Sequence, residues 1–275
     1  MSIITLTSDF GLVDHRVASI KGAILSLNLE SKIVDITHQI QAYNLLQAAY
    51  IVRNSYRHFP LGSIHIISVD SFYSKHRKSI LYKVDGHYFI ASDNGILSLL
   101  FFDITPEAIY EINFTNRFDD EITFTTTDIF VPAAVHLQKG GLPEIIGKKM
   151  KNPKQLSFTR AVFNESEKII AGEAMYIDNF GNVVSNISKK FFDKTKANFK
   201  SYQIKFRNIS LTKIDQQYTD IVTDWKNEHD YHGKPVAIFN EAEMLELSIY
   251  KGSSQSGARS LFGLKIGEKI YIQFS

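Results

Sequence analysis

The chain has 275 residues, 44% of them hydrophobic, and 31 Lys and Arg against 29 Asp and Glu give a net charge of +2. That length and apolar content supply one large core or two modest ones, and the balanced charge, spread along the chain, leaves no electrostatic footprint for nucleic acid. Cysteine is absent, which excludes disulfides, thiolate metal sites and a cysteine nucleophile, and fits a reducing cytoplasm.

In chain order, strand-like runs at 3–7, 32–36 and 64–69 alternate with helix-like runs at 14–28 and 43–55. In the first helix Val17, Ile20, Ile24 and Leu27 recur at three- and four-residue spacing. Such alternation predicts βαβ units and a mostly parallel sheet. Strands at 79–82, 88–91 and 108–112 and a helix at 128–138 follow, the helix broken by Gly140-Gly141-Leu142-Pro143. The Lys-rich stretch 148–154 reads as a solvated linker, so the expected organisation is an α/β domain over 1–160 and a smaller β-rich domain over 161–275. Strands of the second domain are expected at 169–177, 183–187, 202–206, 236–239, 245–250 and 269–274, with polar 189–200 and 223–234 as surface helix or loop. No run approaches the ~20 apolar residues of a membrane span, and the start has neither the basic segment nor the long apolar stretch of a signal peptide.

Two polar turns interrupt this apolar texture: Ser8-Asp9-Phe10-Gly11, and Asp178-Asn179-Phe180-Gly181-Asn182. Asp9 falls at the carboxyl end of a strand, where open α/β sheets bind ligands. Its two acceptor oxygens suit a pair of sugar hydroxyls, while an Asx-turn is the plain structural alternative. Asp14 stands just before the helical periodicity and reads equally as an N-cap. Asp70 ends an apolar strand, with Arg77 seven residues on. They are either an ordinary loop ion pair or a carboxylate and cation placed to activate water. His229-Asp230-Tyr231-His232 lacks a third metal ligand in sequence, so no metal site is expected, and the Gly252–Gly257 stretch lacks the Lys of a phosphate loop.

Several short motifs occur in one order: Ser8-Asp9-Phe10-Gly11, Asp14, Lys21-Gly22, Val34-Asp35-Ile36-Thr37-His38, Val69-Asp70 and Asp93-Asn94-Gly95. Thr123-Phe124, with Asp128-Ile129-Phe130-Val131-Pro132-Ala133-Ala134, and Ile177 to Asn182 complete the set. Together they resemble the S-adenosyl-L-methionine hydrolase (hydroxide adenosyltransferase) family, related to the fluorinase and chlorinase enzymes. The likeness extends from about residue 3 to the end and is weakest between Lys189 and Lys234.

The resemblance implies cleavage of S-adenosyl-L-methionine to adenosine and L-methionine by water, with no further cofactor. By it, Asp9 binds the ribose hydroxyls, Tyr43 packs on the ligand, and Phe180 and Asn182 contact adenine. Asp14 and Asp178 hold the methionine ammonium, and Asn240 serves the amino-acid tail. Asp70 and Arg77 place the attacking water. It further implies a homotrimer whose sites lie at subunit interfaces. The chain departs from the pattern twice. Thr125 stands where the family has His, followed by Thr126 and Thr127 in place of Gly and Arg, and Glu241 follows Asn240 where the family has Ser. A hydroxyl orients water but carries no positive charge. The rival readings are therefore a nucleoside-binding protein without turnover and a halogenase, the latter opposed by the charge of Asp70 beside a desolvated halide.

Overall fold

Ile4 and Leu6 alternate with Thr5 and Thr7 along the first strand, so the two sets face opposite sides of a sheet and both are buried. The computed structural model describes residues 2–114 and 122–275. The chain divides into two units, Met1–Phe158 and Thr159–Ser275.

The first unit holds β1 (Ile3–Ser8), α1 (Arg16–Leu27), β2 (Lys32–Thr37), α2 (Leu45–Ser55), β3 (Ile64–Ser68), β4 (Ser79–Val84), β5 (His87–Ser92), α3 (Ile96–Leu100) and β6 (Ala108–Ile112). A π-helical turn (Thr126–Phe130), α4 (Val131–Gln138), α5 (Pro143–Ile146) and β7 (Gly147–Lys149) complete it. Its sheet has the order β2-β1-β3-β5-β4-β6-β7. One face packs Ile4, Leu6, Ile64 and Ile66 against Ile20 and Ile24 of α1 and Val131 and Val135 of α4. The other packs Ile67, Val69, Phe89 and Ala91 against Ala48 and Val52 of α2 and Ile96 and Leu100 of α3.

The sheet is mixed rather than mostly parallel. Pairings among β2, β1, β3 and β5 are parallel, whereas β4 pairs antiparallel with both β5 and β6, and β6 with β7. The reason is local. Asp85 and Gly86 both take positive φ, 50° and 74°, the two-residue turn that reverses a chain at once and leaves no room for a crossover helix. Strands β1 and β3 run in register from Ile4↔Ile64 to Ser8↔Ser68, so the segments that follow them leave the sheet side by side.

The second unit is built from antiparallel strands. They are β8 (Val162–Asn164), β9 (Ile169–Ile177), β10 (Val183–Ser188), β11 (Tyr202–Phe206), β12 (Ile209–Leu211), β13 (Pro235–Phe239), β14 (Met244–Ile249) and β15 (Lys269–Phe274). Their order is β12-β11-β15-β9-β10-β14-β13, with β8 also on β9. Short helices α6 (Lys189–Lys196) and α7 (Ala258–Leu261) sit among them, and Ile170, Val183, Ile204, Leu245, Leu247 and Ile272 form the core. Among the described residues no helix is long and apolar enough to cross a membrane.

Candidate active site

In the first unit the site is organised by Asp9, in the turn after β1. Its Oδ2 accepts the backbone N–H of Tyr43 at 2.9 Å and of Asp70 at 3.2 Å. Both donors have left-handed backbones, with φ of 64° and 47°, a conformation that costs a non-glycine residue about 1–2 kcal/mol. One carboxylate oxygen thus ties three segments together and holds two strained residues, and no hydrogen bond occupies Oδ1 among the described residues. The simple Asx-turn is not what is found. Beneath this turn Ser8 Oγ bonds His38 Nδ1 at 2.7 Å, and Gly11 N–H donates to His38 O at 2.8 Å. Asp35 pairs with Lys21 at 2.6 Å and lies 3.3 Å from His38 Nε2, within ion-pair range though not aligned as a hydrogen bond.

Asp70 is gripped from several sides. Arg77 Nη1 donates to its backbone oxygen at 2.6 Å and stands 3.1 Å from its Oδ1. Asn94, buried, donates from Nδ2 to the carbonyls of Val69 and Asp70, and its Oδ1 accepts from Ile96 N–H at the start of α3. Tyr43 and Phe72 are both exposed, their rings 6.3 Å apart on this rim.

Thr125 lies in a separate turn. Asp128 Oδ2 takes the N–H groups of Thr123 and Phe124, both at 2.9 Å, which closes the chain before the π-helical turn. Thr126 Oγ1 donates to Ser68 Oγ at 2.9 Å, setting this segment against the end of β3, two residues before Asp70. Thr125 is 4% exposed and, among the described residues, its Oγ1 has no hydrogen-bond partner. A buried hydroxyl left so is costly, and π turns recur at functional positions. Asp14 is exposed. The N-cap of α1 is His15, so Asp14 stands one residue too early to cap it; its Oδ1 accepts from Arg16 N–H at 3.1 Å in an Asx-type contact, and Oδ2 pairs with Arg16 at 2.6 Å. The donated backbone N–H is the main reason its carboxyl lies below the usual range.

In the second unit Asp178 closes the turn between β9 and β10. Its Oδ1 accepts from Phe180 N–H and Asn182 N–H, and its Oδ2 from Asn182 Nδ2. Gly181 has φ +79°, and a side chain on Gly257 would run into Phe180 O, so both glycines are needed where α7 meets this turn. Phe180 is consequently pushed outward, 62% exposed. A cavity of about 480 Å³ lies beside it, lined by Asp178, Phe180, Asn182, Tyr218, Glu241 and Glu246, among others. Asn240 is spent on architecture: Oδ1 accepts from Ala242 and Met244 N–H, and Nδ2 donates to Glu246 Oε2. Burial pushes the Glu246 carboxyl up, Ser248 and Asn240 oppose this by donating to it, and Asp178 and Glu241 add to the rise.

Asp9, Tyr43, Asp70 and Arg77 are brought together in the first unit, and Asp178, Phe180 and Asn182 in the second. Sequence reasoning named Asn94 and His38 only as motif members and missed Phe72, Tyr218, Glu246 and Lys251 altogether. An aromatic two residues after Asp70 was a readable signal for Phe72. Tyr218 had none, because its place on the cavity depends on its hydroxyl accepting Lys251 N–H at 2.6 Å and donating to Ile249 O at 2.8 Å. Among the described residues no three His, Asp or Glu side chains converge as metal ligands.

Comparison with known proteins places these motifs. The family model described as SAM hydroxide adenosyltransferase N-terminal domain matches residues 4–147, and the corresponding C-terminal domain matches residues 172–271. The chain belongs to the SAM hydroxide adenosyltransferase family. It is similar to the (R)-S-adenosyl-L-methionine hydrolase of Methanocaldococcus jannaschii, 29% identical over 70% of this chain and 72% of that one. The Thermus thermophilus protein of the same name is 24% identical over 96% of both chains. A fluorinase from Actinopolyspora mzabensis is 24% identical over 68% of this chain and 72% of its own. Among solved structures, an uncharacterized conserved protein from Thermotoga maritima superposes with a TM-score of 0.85 at 26% identity, covering 98% of this chain and all of that one. The family's two-domain organisation is therefore that of this chain, and the eight-motif resemblance is borne out.

Proposed function

We propose that the protein hydrolyses S-adenosyl-L-methionine to adenosine and L-methionine by attack of water at C5′. The observation that carries this reading is Asp70, in a chain whose family is that of hydroxide transfer to the adenosyl group. It is an anionic side chain at the carboxyl end of a parallel strand, paired with Arg77 at 3.1 Å and fixed by Asp9 through its own backbone.

The sulfonium is an activated leaving group. As the water oxygen bonds to C5′, the C5′–S bond breaks and its electron pair neutralises sulfur, leaving a thioether. The water proton passes to Asp70 or to solvent. Asp70 orients the water in line with the C–S bond, about 3–3.5 Å from carbon. Arg77 stabilises the developing hydroxide, and the unpartnered Thr125 hydroxyl assists where the family has His. Asp9 Oδ1 accepts from the ribose, Tyr43 packs on the nucleoside, Phe180 stacks on adenine, and the Asn182 oxygen reads the base edge. Asp14 and Asp178 face the ammonium, and Asn240 acts through the turn it builds. We place these residues in a homotrimer, Asp9, Tyr43 and Asp70 of one subunit facing Phe180 and Asn182 of the next, and the enzyme in the cytoplasm.

The named fluorinases among the relatives make halide the competing nucleophile. An ionised Asp70 repels a desolvated halide at a cost of several kcal/mol, which favours water. Incubation with S-adenosyl-L-methionine, with adenosine followed by chromatography, tests the reading. Release above the spontaneous rate is expected. Adenosine binding without release would make the protein a nucleoside binder, and 5′-halo-5′-deoxyadenosine would make it a halogenase.

A further inference from the structure

The second-unit cavity has an unbalanced charge. Its charged lining consists of three carboxylates, Asp178, Glu241 and Glu246, and one ammonium, Lys251. Lys251 is already engaged, 3.4 Å from Glu228 Oε1, a carboxylate that also accepts from the Tyr250 hydroxyl. Among the described residues none of the three lining carboxylates is ion-paired. Asp178 is satisfied by N–H groups of its own turn, and Glu246 by the neutral donors Asn240 and Ser248. Glu241 is exposed on the turn between β13 and β14, and among the described residues no hydrogen bond reaches its carboxylate. The carboxylates also sense one another, since Asp178 and Glu241 both raise the Glu246 carboxyl.

A ligand complementary to such a lining is cationic throughout. S-adenosyl-L-methionine brings a sulfonium and an ammonium, but also a carboxylate. Among the described residues that line this cavity, such a group would find Glu241, Glu246 and a single cation, Lys251, already paired with Glu228. Resting on the hydrolase reading, we infer that the cavity selects adenosyl sulfonium compounds whose tail carries an ammonium and no carboxylate, with Glu241 as the discriminating residue. Hydrolysis of such a compound follows the same bond changes: water oxygen joins C5′, the C–S electron pair returns to sulfur, and adenosine, an aminoalkyl thioether and a proton result.

The probes are S-adenosyl-L-methionine and its decarboxylated counterpart, S-adenosyl-3-methylthiopropylamine, titrated into the full-length protein by calorimetry. Wild type should bind the amine about fivefold or more tightly at low ionic strength, the worth of an exposed charge contact, and the gap should narrow with salt. Glu241→Gln, an exposed turn substitution that leaves Asn240 and Glu246 in place, should bring the two affinities close to equality by strengthening S-adenosyl-L-methionine binding. Equal or tighter binding of S-adenosyl-L-methionine by wild type overturns the inference, as does a preference that Glu241→Gln leaves intact. Adenosine release, measured alongside, separates this from the hydrolase reading. The preference without release from either compound refutes hydrolysis alone, release without the preference refutes this inference alone, and binding of neither refutes both.

Discussion

Replacing Asp9 separates a scaffolding role from a ligand role. In Asp9→Ala the N–H groups of Tyr43 and Asp70 both lose their acceptor, and two left-handed residues lose the contact that holds them. A hydrogen bond to a charged group is worth ~1.5–3 kcal/mol, and partial exposure of Asp9 brings each nearer ~1 kcal/mol, for a total of about 2 kcal/mol. That corresponds to a drop of roughly 4–8 °C in thermal midpoint for a domain of this size. Asp70 loses its position too, so turnover should fall by ~10²-fold, the scale of a misplaced catalytic group. Asp9→Asn keeps one oxygen able to accept both N–H groups and should cost only ~1 kcal/mol. Its amide nitrogen then occupies the Oδ1 side as a donor, and adenosine should bind about tenfold more weakly. Thermal melting and calorimetry with adenosine check both variants. A midpoint for Asp9→Ala within about 2 °C of wild type would refute the scaffolding role, and wild-type adenosine affinity in Asp9→Asn would refute the ribose contact.

Thr125→Val replaces a buried, unpartnered hydroxyl by a methyl, so stability should hold or rise by up to ~1 kcal/mol while turnover drops several-fold; unchanged turnover removes Thr125 from the water site. Thr125→His should raise turnover, by ~10²-fold if Asp70 and Arg77 hold water in the family geometry, at a packing cost of ~1–3 kcal/mol that melting will show. Asp70→Asn should lower kcat with little change in adenosine affinity, and equal activity would put the water elsewhere. Burial, with His87 beside it, pushes His65 from 6.5 down to about 3, so the unfolded chain takes up a proton that the folded protein refuses. Stability is then full above pH 6.5 and falls towards pH 3, losing about 2 kcal/mol by pH 5. His65→Gln should flatten that slope in denaturant titrations across pH, and an unaltered slope would contradict the assignment.

Much of the fold was legible because its elements carry their own periodicity. Strands β1, β2, β3 and β9 to β11 fall where the alternation placed them, and α1 follows Val17, Ile20 and Ile24. Strand direction was the failure. The Asp85-Gly86 turn that reverses β4 into β5 was present in the sequence as a hairpin signal, but the preceding βαβ rhythm outweighed it. Three-residue strands such as β7, β8 and β12 are too short to show a period, and tertiary pairing alone defines them. The site divides the same way. Asp9, Asp70 and Arg77 could be named because short motifs carry them. That Asp9 reaches the backbones of Tyr43 and Asp70, 34 and 61 residues away, depends on β1 pairing in parallel with both β2 and β3, which no local pattern encodes.

Attack of water at C5′ under the control of Asp70 leaves an isotopic signature. Single-turnover reaction of the wild-type protein with S-adenosyl-L-methionine in oxygen-18 water, read by mass spectrometry, tests it directly. One labelled oxygen in adenosine, none in methionine, and a rate that falls sharply in Asp70→Asn are expected. Label in methionine, unlabelled adenosine, or no release above the protein-free rate would contradict it.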